Sequence, residues 1–409
     1  MVLIFYVNWT CWKTFKVKIY KPRITLINMV NFNIWDLERV NIKLKKEFLE
    51  EINKTLKEKF ISKPKAYEVI FNNKETPLAT FKNVLKYSYC RNFFVPLEIF
   101  LSICLKLNIS RDMLQMNVIS YKTARGINYI KNPVLPIKIT PIFDMLLAHN
   151  IGDGTVINPG NGRLPYFGYR QFNYFYRIQY VKKIENIFGE IQFKENYFET
   201  STRPYCPAVL SSLFFNYYKL RNEDFLSDRA RIPKIVFDKG KDSLLAVLIA
   251  FIIDEGNVDS TQITINLKNK LLIEDLKEIC STLNYKSKIT QAKSEIAKGY
   301  FRLHILREGM KEFWRDYLKL HTRYPIIDLG WKGEKINNSF KIDKREIIRT
   351  KGNKEIILAI LQNEQLSVNQ LADRLNMTRQ GIRYHIHNLL NQRKIRIADK
   401  NQLNWLYGV

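Results

Sequence analysis

Two acidic residues, each followed by glycine at the end of an apolar stretch, are the residues best placed to do chemistry. Asp153 lies at the end of "MLLAHNIGDG" and Glu255 at the end of "VLIAFIIDEG". Carboxylate oxygens are preferred ligands of hard divalent cations such as Mg²⁺, and such a cation can activate water for attack on phosphorus. A lone acid beside a helix-ending glycine is more often a solvated residue. Metal binding by these acids is therefore a reasonable hypothesis only if the two stretches are related copies that lie close together in the fold.

The two stretches are related by their spacing. When their glycines are aligned, Asp153 lies opposite Glu255, 102 residues further along the chain, and Ala148 lies opposite Ala250. Self-similarity at this distance predicts two copies of one small domain. Small residues spaced by four, which share one face of a helix, occur in both stretches.

Each stretch is the first helix of a similar series of predicted elements. The order of each series is helix, two strands, helix, two strands, helix. In the second copy the strands are "TQITINL", "KSKITQ" and "YFRLHI", and the helices are "LLIEDLKEICSTLNY" and "GMKEFWRDYLKL". In the first copy the aromatic segment "YFGYRQFNYFYRIQY" is strand-like, "VKKIENIFGEI" predicts a helix, and a strand pair and a helical run at 211–220 follow.

The segments "LLAHNIGDG" and "LIAFIIDEG" resemble the two LAGLIDADG motifs of single-chain homing endonucleases. His149 and Asn150 depart from the family's apolar pattern. The resemblance implies an α+β fold, with a duplicated αββαββα core related by pseudo-twofold symmetry and the two motif helices packed side by side. The small residues that would permit this close approach are Ala148, Gly152, Ala246 and Ala250.

The same resemblance implies that Asp153 and Glu255 are catalytic and bind Mg²⁺ or another divalent cation, with each acid serving one strand of double-stranded DNA. Two carboxylates held together on a basic surface would repel each other unless a cation lay between them. The alternative is that both acids are solvated helix ends. Asp254 has Gly152 as its counterpart, so we expect it to have a supporting or structural role.

Base recognition is predicted on the strands. In "TQITINL" polar residues alternate with apolar ones, so that one face packs and the other presents amides and a hydroxyl. An ordinary solvated sheet face would have the same pattern. The candidate DNA contacts are Arg170, Gln171, Asn173 and Arg177 in the first copy, and Gln262, Thr264, Asn266, Lys286, Lys288, Arg302 and His304 in the second.

The two predicted repeats span 131–235 and 236–340. The regions on either side of them predict further modules. Residues 1–34 are unassigned, and 35–130 predict a helical domain that includes a surface helix at 35–60. Within it, residues 94–122 predict either a repressor-type helix-turn-helix or a plain helical hairpin. A linker at 341–352 precedes a unit at 353–409.

That last unit resembles a winged helix-turn-helix, because three predicted helices are followed by a hairpin. From residue 341 to the end there are 13 basic and 6 acidic residues. This balance favours DNA, although a winged helix can also bind proteins. The outward residues of its third helix, predicted to meet DNA, are Arg379, Gln380, Arg383, Tyr384 and His387.

The whole chain is strongly basic, with 66 Lys and Arg, 39 Asp and Glu, and a net charge of +27 over 409 residues. Such a surplus favours a polyanionic partner, although a drift in composition would also produce it. The five cysteines form no C-x-x-C pair, which argues against a zinc ribbon, and no apolar run reaches 18 residues. We therefore expect a cytoplasmic protein with no membrane association. The internal duplication removes the need for an obligate protein partner and predicts a monomer, although the winged helix could still pair.

These features lead to one main hypothesis and one rival. The main hypothesis is a site-specific endonuclease that hydrolyses a phosphodiester bond in each strand of double-stranded DNA. The rival is a transcription regulator that keeps the same fold as a platform for DNA binding without cleavage. The two acids favour the enzyme, and the additional binding modules favour the regulator.

Overall fold

The computed structural model describes residues 31–71, 78–87, 93–126, 128–192, 203–225, 228–292, 299–341, 353–375, 377–400 and 405–409. Most of the unassigned segment 1–34 and nearly all of the predicted linker 341–352 lie outside these residues. Two separate hydrophobic cores are present, one extending from Ile34 to Ile336 and the other from Ile357 to Tyr407. The architecture is α+β with antiparallel sheets.

The N-terminal unit contains a sheet as well as helices. Its sheet has the strand order β3-β2-β4-β5-β9, and β9 belongs to the first repeat. The elements before the first repeat are β1 (Asn31–Phe32), β2 (Val40–Leu44), α1 (Lys46–Lys59), α2 (Lys63–Ile70), α3 (Leu78–Tyr87), β3 (Val95–Pro96), α4 (Leu97–Leu107), α5 (Arg111–Met116), β4 (Val118–Thr123) and β5 (Tyr129–Lys131).

One prediction for this unit is wrong, and another is narrowed. The surface helix predicted at 35–60 is a strand followed by a helix, because Val40, Ile42 and Leu44 alternate with half-buried residues and fill the core at a period of two. Within 94–122 the structure has the two short helices and the turn, with Ser110 capping α5, but α5 ends at Met116 and the residues after it form β4. The turn between α4 and α5 is therefore followed by a helix of only 6 residues, which favours the plain helical hairpin over a repressor-type helix-turn-helix.

The first repeat begins with β6 (Ile137–Lys138), which pairs with β1. Strands β7 and β8 form a two-stranded sheet, whereas β9 joins the N-terminal sheet. Its remaining elements are α6 (Pro141–Gly152), β7 (Gly154–Ile157), β8 (Tyr166–Tyr169), α7 (Tyr174–Phe188), β9 (Glu190–Gln192) and α8 (Ala208–Tyr218).

The aromatic segment at 166–180 was wrongly predicted to be strand throughout. Strand β8 ends at Tyr169 and helix α7 begins at Tyr174. Asn173 caps this helix, since its Oδ1 accepts a hydrogen bond of 2.9 Å from the backbone N–H of Phe175. Aromatic residues favour strands, but here they lie on a capped helix, with Tyr176 and Tyr180 on its buried face and Tyr174 and Phe175 exposed.

The second repeat has the predicted element order in full. Its four strands form one sheet in the order β10-β11-β13-β12. A one-turn helix α9 (Lys234–Phe237) precedes it, and its elements are α10 (Lys241–Glu255), β10 (Gly256–Val258), β11 (Gln262–Leu267), α11 (Lys270–Thr282), β12 (Ser287–Gln291), β13 (Phe301–Leu306) and α12 (Arg307–Arg323). In the described part of the first repeat, by contrast, β7 and β8 form a sheet of only two strands and β9 belongs to the N-terminal sheet.

Helix α13 (Trp331–Lys341) follows the second repeat, and a unit with its own core completes the chain. None of the helices in the described ranges combines the length and apolarity needed to cross a bilayer. The elements of the last unit are α14 (Asn353–Asn363), β14 (Leu366–Ser367), α15 (Val368–Arg374), α16 (Arg379–Asn391), β15 (Arg396–Lys400) and β16 (Trp405–Gly408).

Candidate active site

Helices α6 and α10 pack against each other in the larger core. The side chains of Ala148, Ala246 and Ala250 are at most 1% exposed. A Cβ atom added to Gly152 would lie 3.2 Å from Oδ2 of Asp254 on the other helix. The two helices therefore approach closely at the ends that carry the acids.

Each acid is followed by a glycine that the backbone requires. A Cβ atom on Gly154 would lie 2.1 Å from the carbonyl oxygen of Asn150, and one on Gly256 would lie 2.5 Å from that of Ile252. In each helix the obstructing carbonyl belongs to the residue four positions earlier. Both helix ends thus need glycine for the same steric reason, and the half-buried acid directly before it is held at the end of the helix.

Two residues that follow β8 hold Asp153 in place. The side-chain amide of Gln171 donates a 3.0 Å hydrogen bond from Nε2 to Oδ2 of Asp153. The backbone N–H of Arg170 donates to the carbonyl oxygen of Asp153 at 2.8 Å. Gln171 was predicted to contact DNA, but here it orients the acid.

Lys332 secures the other helix end, and sequence reasoning missed it. Its ammonium donates hydrogen bonds to the carbonyl oxygens of Ile252 at 2.8 Å, Ile253 at 2.6 Å and Gly256 at 2.7 Å. A lysine on these last carbonyls caps the end of α10 and places a positive charge beside Glu255. Nothing local in the sequence marks Lys332, which lies one residue into helix α13.

Asp254 is withdrawn from the surface. Its side chain is 0% exposed, and Oδ1 accepts a 2.6 Å hydrogen bond from the hydroxyl of Tyr169. Oδ2 lies 2.9 Å from Nδ1 of His149. Burial lowers the pKa of His149 well below its usual value, and Lys183 adds to this effect, so the imidazole is neutral and the contact is a hydrogen bond rather than an ion pair.

The carboxyl groups at the two helix ends have raised pKa values. Burial raises the pKa of Asp153 to about 7; Asp254 adds to the rise, while Lys332 opposes it. Burial also raises the pKa of Glu255 to about 7, with further contributions from Asp153 and Asp254. Burial raises the pKa of Asp254 itself to about 8. The three carboxyls therefore resist ionisation, and a bound cation would favour their ionised forms.

The donor set fits a hard divalent ion with an open coordination sphere. Among the described residues no group of three or more His, Cys, Asp and Glu is arranged to hold a metal, so no closed cage occurs there. Mg²⁺ does not need one, because it keeps several waters and binds through one or two carboxylates together with phosphate oxygens. Asp153 and Glu255 are the accessible pair, whereas Asp254 has its oxygens occupied.

The sheet of the second repeat aligns most of the predicted DNA contacts on one face. Across the strands, Thr264 lies opposite His304 and His304 opposite Lys288. Likewise Asn266 lies opposite Arg302, and Gln262 lies on the same face, where Thr264 is only 9% exposed. The alternate residues of β11 and β13 are buried, namely Ile263, Ile265, Leu303 and Ile305. The exception is Lys286, which precedes β12 and pairs with Glu308 at 2.7 Å. Its predicted position on a strand is wrong.

The first repeat uses its candidate contacts differently. Arg170 and Asn173 are exposed, but Arg177 is only 8% exposed. Its Nη1 donates hydrogen bonds of 3.0 Å to the carbonyl oxygens of Gln171 and Phe172. Arg177 therefore supports a turn from inside, and its prediction as a DNA-facing strand residue is wrong because the strand ends eight residues earlier.

In the last unit, α16 presents a polar face away from its core. Ile382, Ile386 and Leu389 are at most 2% exposed and pack inward. The structure leaves all five predicted contacts exposed on this helix. They are Arg379, Gln380, Arg383, Tyr384 and His387.

Comparisons with known proteins give limited likenesses. No protein-family model matches the chain, and no curated protein matches it. Among solved structures, mesophilic variants of the homing endonuclease I-DmoI share 19% identity over 44% of this chain and 93% of theirs, with a TM-score of 0.29. I-DmoI in complex with DNA and Ca shares 19% identity over 43% of this chain and 88% of its own, with a TM-score of 0.30.

A second type of protein shows a similar degree of likeness. Full-length DUF199/WhiA from Thermatoga maritima shares 13% identity over 62% of this chain and 90% of its own, with a TM-score of 0.26. TM-scores of this size do not establish a common fold. The function is therefore inferred from the residues of this chain.

Proposed function

We propose that this protein is a site-specific, metal-dependent endonuclease of the LAGLIDADG type, and that the ends of α6 and α10 form its active site. The observation that carries this proposal is the pair of half-buried acids at the ends of two helices that pack against each other. Asp153 raises the pKa of Glu255, so the two carboxyls share one electrostatic environment. Solvated helix-end acids would have ordinary pKa values.

In this proposal Asp153 and Glu255 hold Mg²⁺ or another divalent cation. When bound, such an ion lowers the pKa of water and stabilises the leaving oxygen of a phosphodiester. Gln171 orients Asp153, and Lys332 fixes the end of α10 while adding positive charge beside a phosphate. Asp254 supports the site through His149 and leaves metal binding to its neighbours.

Two aligned features support a duplicated core with pseudo-twofold symmetry. The glycines after the acids face the same steric constraint, and each helix is followed by two strands and a capped helix. Asn173 caps the helix after β8, as Asn269 caps the helix after β11. A chain that contains both copies needs no partner subunit, so we propose a monomer acting on DNA inside the cell.

The surfaces around the acids suit duplex DNA. The polar face of β10–β13 presents amides, a histidine and basic side chains, groups that read base edges and contact phosphates. We propose that residues 353–409 form a winged helix and that α16 enters a groove. The exposure of Arg379 and Arg383 on α16 supports this role.

A DNA-binding regulator without cleavage is the second candidate. The observation that favours it is the separate core of the last unit, which gives the chain a DNA-binding surface that needs no active site. Under this alternative the acids remain as parts of the scaffold, and charge on them contributes nothing to function.

Cleavage of a pooled DNA library with Mg²⁺ distinguishes the two candidates. We expect defined double-strand cuts from the native protein, and a loss of at least about a thousandfold in Asp153→Asn/Glu255→Gln, because metal catalysis supplies several kcal/mol to the transition state. Asp238→Asn, which changes an exposed acid at the end of α9, is the matched control and should cut normally.

Binding of the same library in Ca²⁺ is measured as well, because it can reveal DNA binding without cleavage. Selective retention of DNA without any cut in Mg²⁺, unchanged by the double substitution, would identify the regulator. Equal cutting by the native protein and the double mutant would show that the active site lies elsewhere.

A further inference from the structure

An exposed aromatic patch borders the two acids. It consists of Phe172, Tyr174, Phe175 and Trp331, which are 73%, 55%, 41% and 41% exposed. Phe175 lies against Gly330, the residue directly before Trp331, since a Cβ atom on Gly330 would lie 2.8 Å from Cε1 of Phe175. Clustered exposed rings are a feature of binding surfaces. The metal chemistry proposed above makes no use of them.

The aromatic patch is joined to the supports of both acids. Arg170 and Gln171, directly before its first ring, are the residues that bond to Asp153. At the other side, Trp331 directly precedes Lys332, which caps the helix that ends in Glu255. A ligand lying against the patch would therefore lie beside the active site.

The turn that carries Phe172 is held rigidly. The buried Arg177 bonds to the carbonyl oxygens of Gln171 and Phe172. The backbone N–H of Asn173 also donates to Oε1 of Gln171 at 3.2 Å. Burying a guanidinium has a desolvation cost, and here the charge serves to fix a turn whose apolar side chain faces solvent. This arrangement presents a ring for contact.

Basic side chains lie close to two rings of the aromatic patch. The guanidinium of Arg170 lies 5.5 Å from the ring centroid of Phe172, and the ammonium of Lys335 lies 4.6 Å from that of Trp331. Rings combined with basic groups suit nucleic acid, in which bases stack on aromatic side chains and phosphates pair with cations. An uncharged apolar partner would not need these cations.

The second repeat lacks this feature at the corresponding place. Its helix cap, Asn269, is preceded by Lys268 and followed by Lys270 and Leu271. Phe172 precedes the cap of the first repeat, where the second repeat has a lysine. Any stacking of this kind would consequently affect one half of a bound duplex only.

We propose that Phe172 stacks on a base displaced from the DNA duplex beside the cut phosphate, in the half-site bound by the first repeat. Side chains that enter between base pairs unstack and kink the duplex, which brings more of it against the protein. The inference rests on the proposed function, because it takes DNA as the partner of this site.

The experiment uses a duplex recovered from the pooled library in Ca²⁺, with 2-aminopurine placed singly at positions on both sides of the cut. We expect the native full-length protein to increase the fluorescence of 2-aminopurine next to the displaced base, because that position loses a stacking neighbour, and to do so on one side of the cut only. Phe172→Ala should abolish the increase and weaken binding on the order of tenfold, whereas Phe172→Tyr should keep the increase and the native affinity, because its ring stacks as a phenyl ring does. Leu271→Ala, at the corresponding helix of the second repeat, is the matched control and should behave as the native protein.

Three outcomes would overturn the inference. Binding and cutting of the duplex with no fluorescence increase, or with an increase that survives Phe172→Ala, would leave the endonuclease standing and remove the stacking role. A native dimer in light scattering that becomes a monomer in Phe172→Ala would identify the patch as a self-association surface. Failure of every variant to retain library DNA would instead refute the proposed function, and the inference with it.

Discussion

Helices α6 and α10 pack against each other, yet their buried faces are chemically different. Three buried polar residues of α6 lie opposite apolar residues of α10 in the aligned sequences. These pairs are Asp144 with Ala246, His149 with Phe251, and Asn150 with Ile252. The only polar side chain that α10 buries at its end, Asp254, lies opposite Gly152.

Tyrosines of the first repeat supply the hydrogen bonds that these groups need. Each hydroxyl donates to a buried oxygen of α6 or α10. The bonds are Tyr218 to Asp144 at 2.5 Å, Tyr180 to Asn150 at 2.6 Å, and Tyr169 to Asp254 at 2.6 Å. Much of the aromatic richness of the first repeat is therefore structural, because buried polar groups are costly unless they are paired.

The two helices of this pair are therefore stabilised in different ways. Helix α10 is stabilised by burial of apolar surface, which has no directional requirement. Helix α6 depends on specific partners, so the loss of one partner leaves a buried group unpaired. We expect substitutions around α6 to have larger effects than matched substitutions around α10.

The largest difference should follow from Asp144→Ala. Asp144 accepts a 2.5 Å hydrogen bond from the ammonium of Lys239, whose side chain is only 11% exposed. Leaving that charge unpaired should lower the free energy of unfolding by about 3–5 kcal/mol. Asp242→Ala, which removes an exposed partner of Arg323 near the start of α10, should cost less than about 1 kcal/mol. Comparable losses in chemical denaturation would contradict the distinction between the helices.

An intermediate effect is expected at Asp254. Asp254→Leu leaves Tyr169 and His149 without their partner and should cost about 1–3 kcal/mol. Asp254→Asn should be nearly neutral, because an amide accepts from Tyr169 and donates to Nδ1 of His149, as a protonated carboxyl would. Denaturation combined with a DNA-cleavage assay checks both points. Cleavage lost in Asp254→Asn without loss of stability would assign Asp254 a direct role in catalysis.

The smallest expected effect is the dependence of the free energy of unfolding on pH and on a divalent cation. The pKa values of Asp153 and Glu255 are raised to about 7 in the folded protein, so the folded state holds protons that the unfolded state releases. Their contribution to stability is therefore favourable at low pH and is lost as pH rises from about 4 through about 7. A divalent cation replaces those protons, so its benefit should grow over the same window.

Thermal unfolding with and without Mg²⁺ measures this benefit. A cation at a few times its Kd should raise the free energy of unfolding by about 1 kcal/mol, equivalent to a Tm gain of a few degrees, and more at pH 8 than at pH 6. The difference between the native protein and Asp153→Asn/Glu255→Gln isolates these two groups. A gain that is the same at both pH values, or that persists in the double mutant, would exclude the pair as the metal site.

Elements with a regular pattern could be predicted from the sequence. The alternation in "TQITINL" predicted β11 and its polar face, and the register confirms which residues share that face. The start of α7 could not be predicted, because aromatic residues favour strands and an asparagine occurs in turns as often as at a helix cap. Strand β2 was missed because only five residues alternate before a charged helix begins.

Residues whose roles depend on distant partners could not be predicted. Lys332 lies 76 residues from Gly256, and a helix-end carbonyl accepts a hydrogen bond from any suitable donor. Arg177 carries the charge typical of a DNA contact, but burial behind its own turn gives it a structural role. In both cases the side chain type was known and its surroundings were not.

The sequence by itself determined the two helix ends. An apolar run, an acid and a glycine specify each end locally, because a Cβ at the glycine would strike a carbonyl four residues earlier in the same helix. Only the tertiary structure decided which carboxyls stay accessible. The carboxyl of Asp254 is buried against His149 and Tyr169, 105 and 85 residues away, whereas Asp153 and Glu255 stay half-buried. Burial and hydrogen-bond partners are set by contacts between distant segments, and those contacts exist only once the chain has folded.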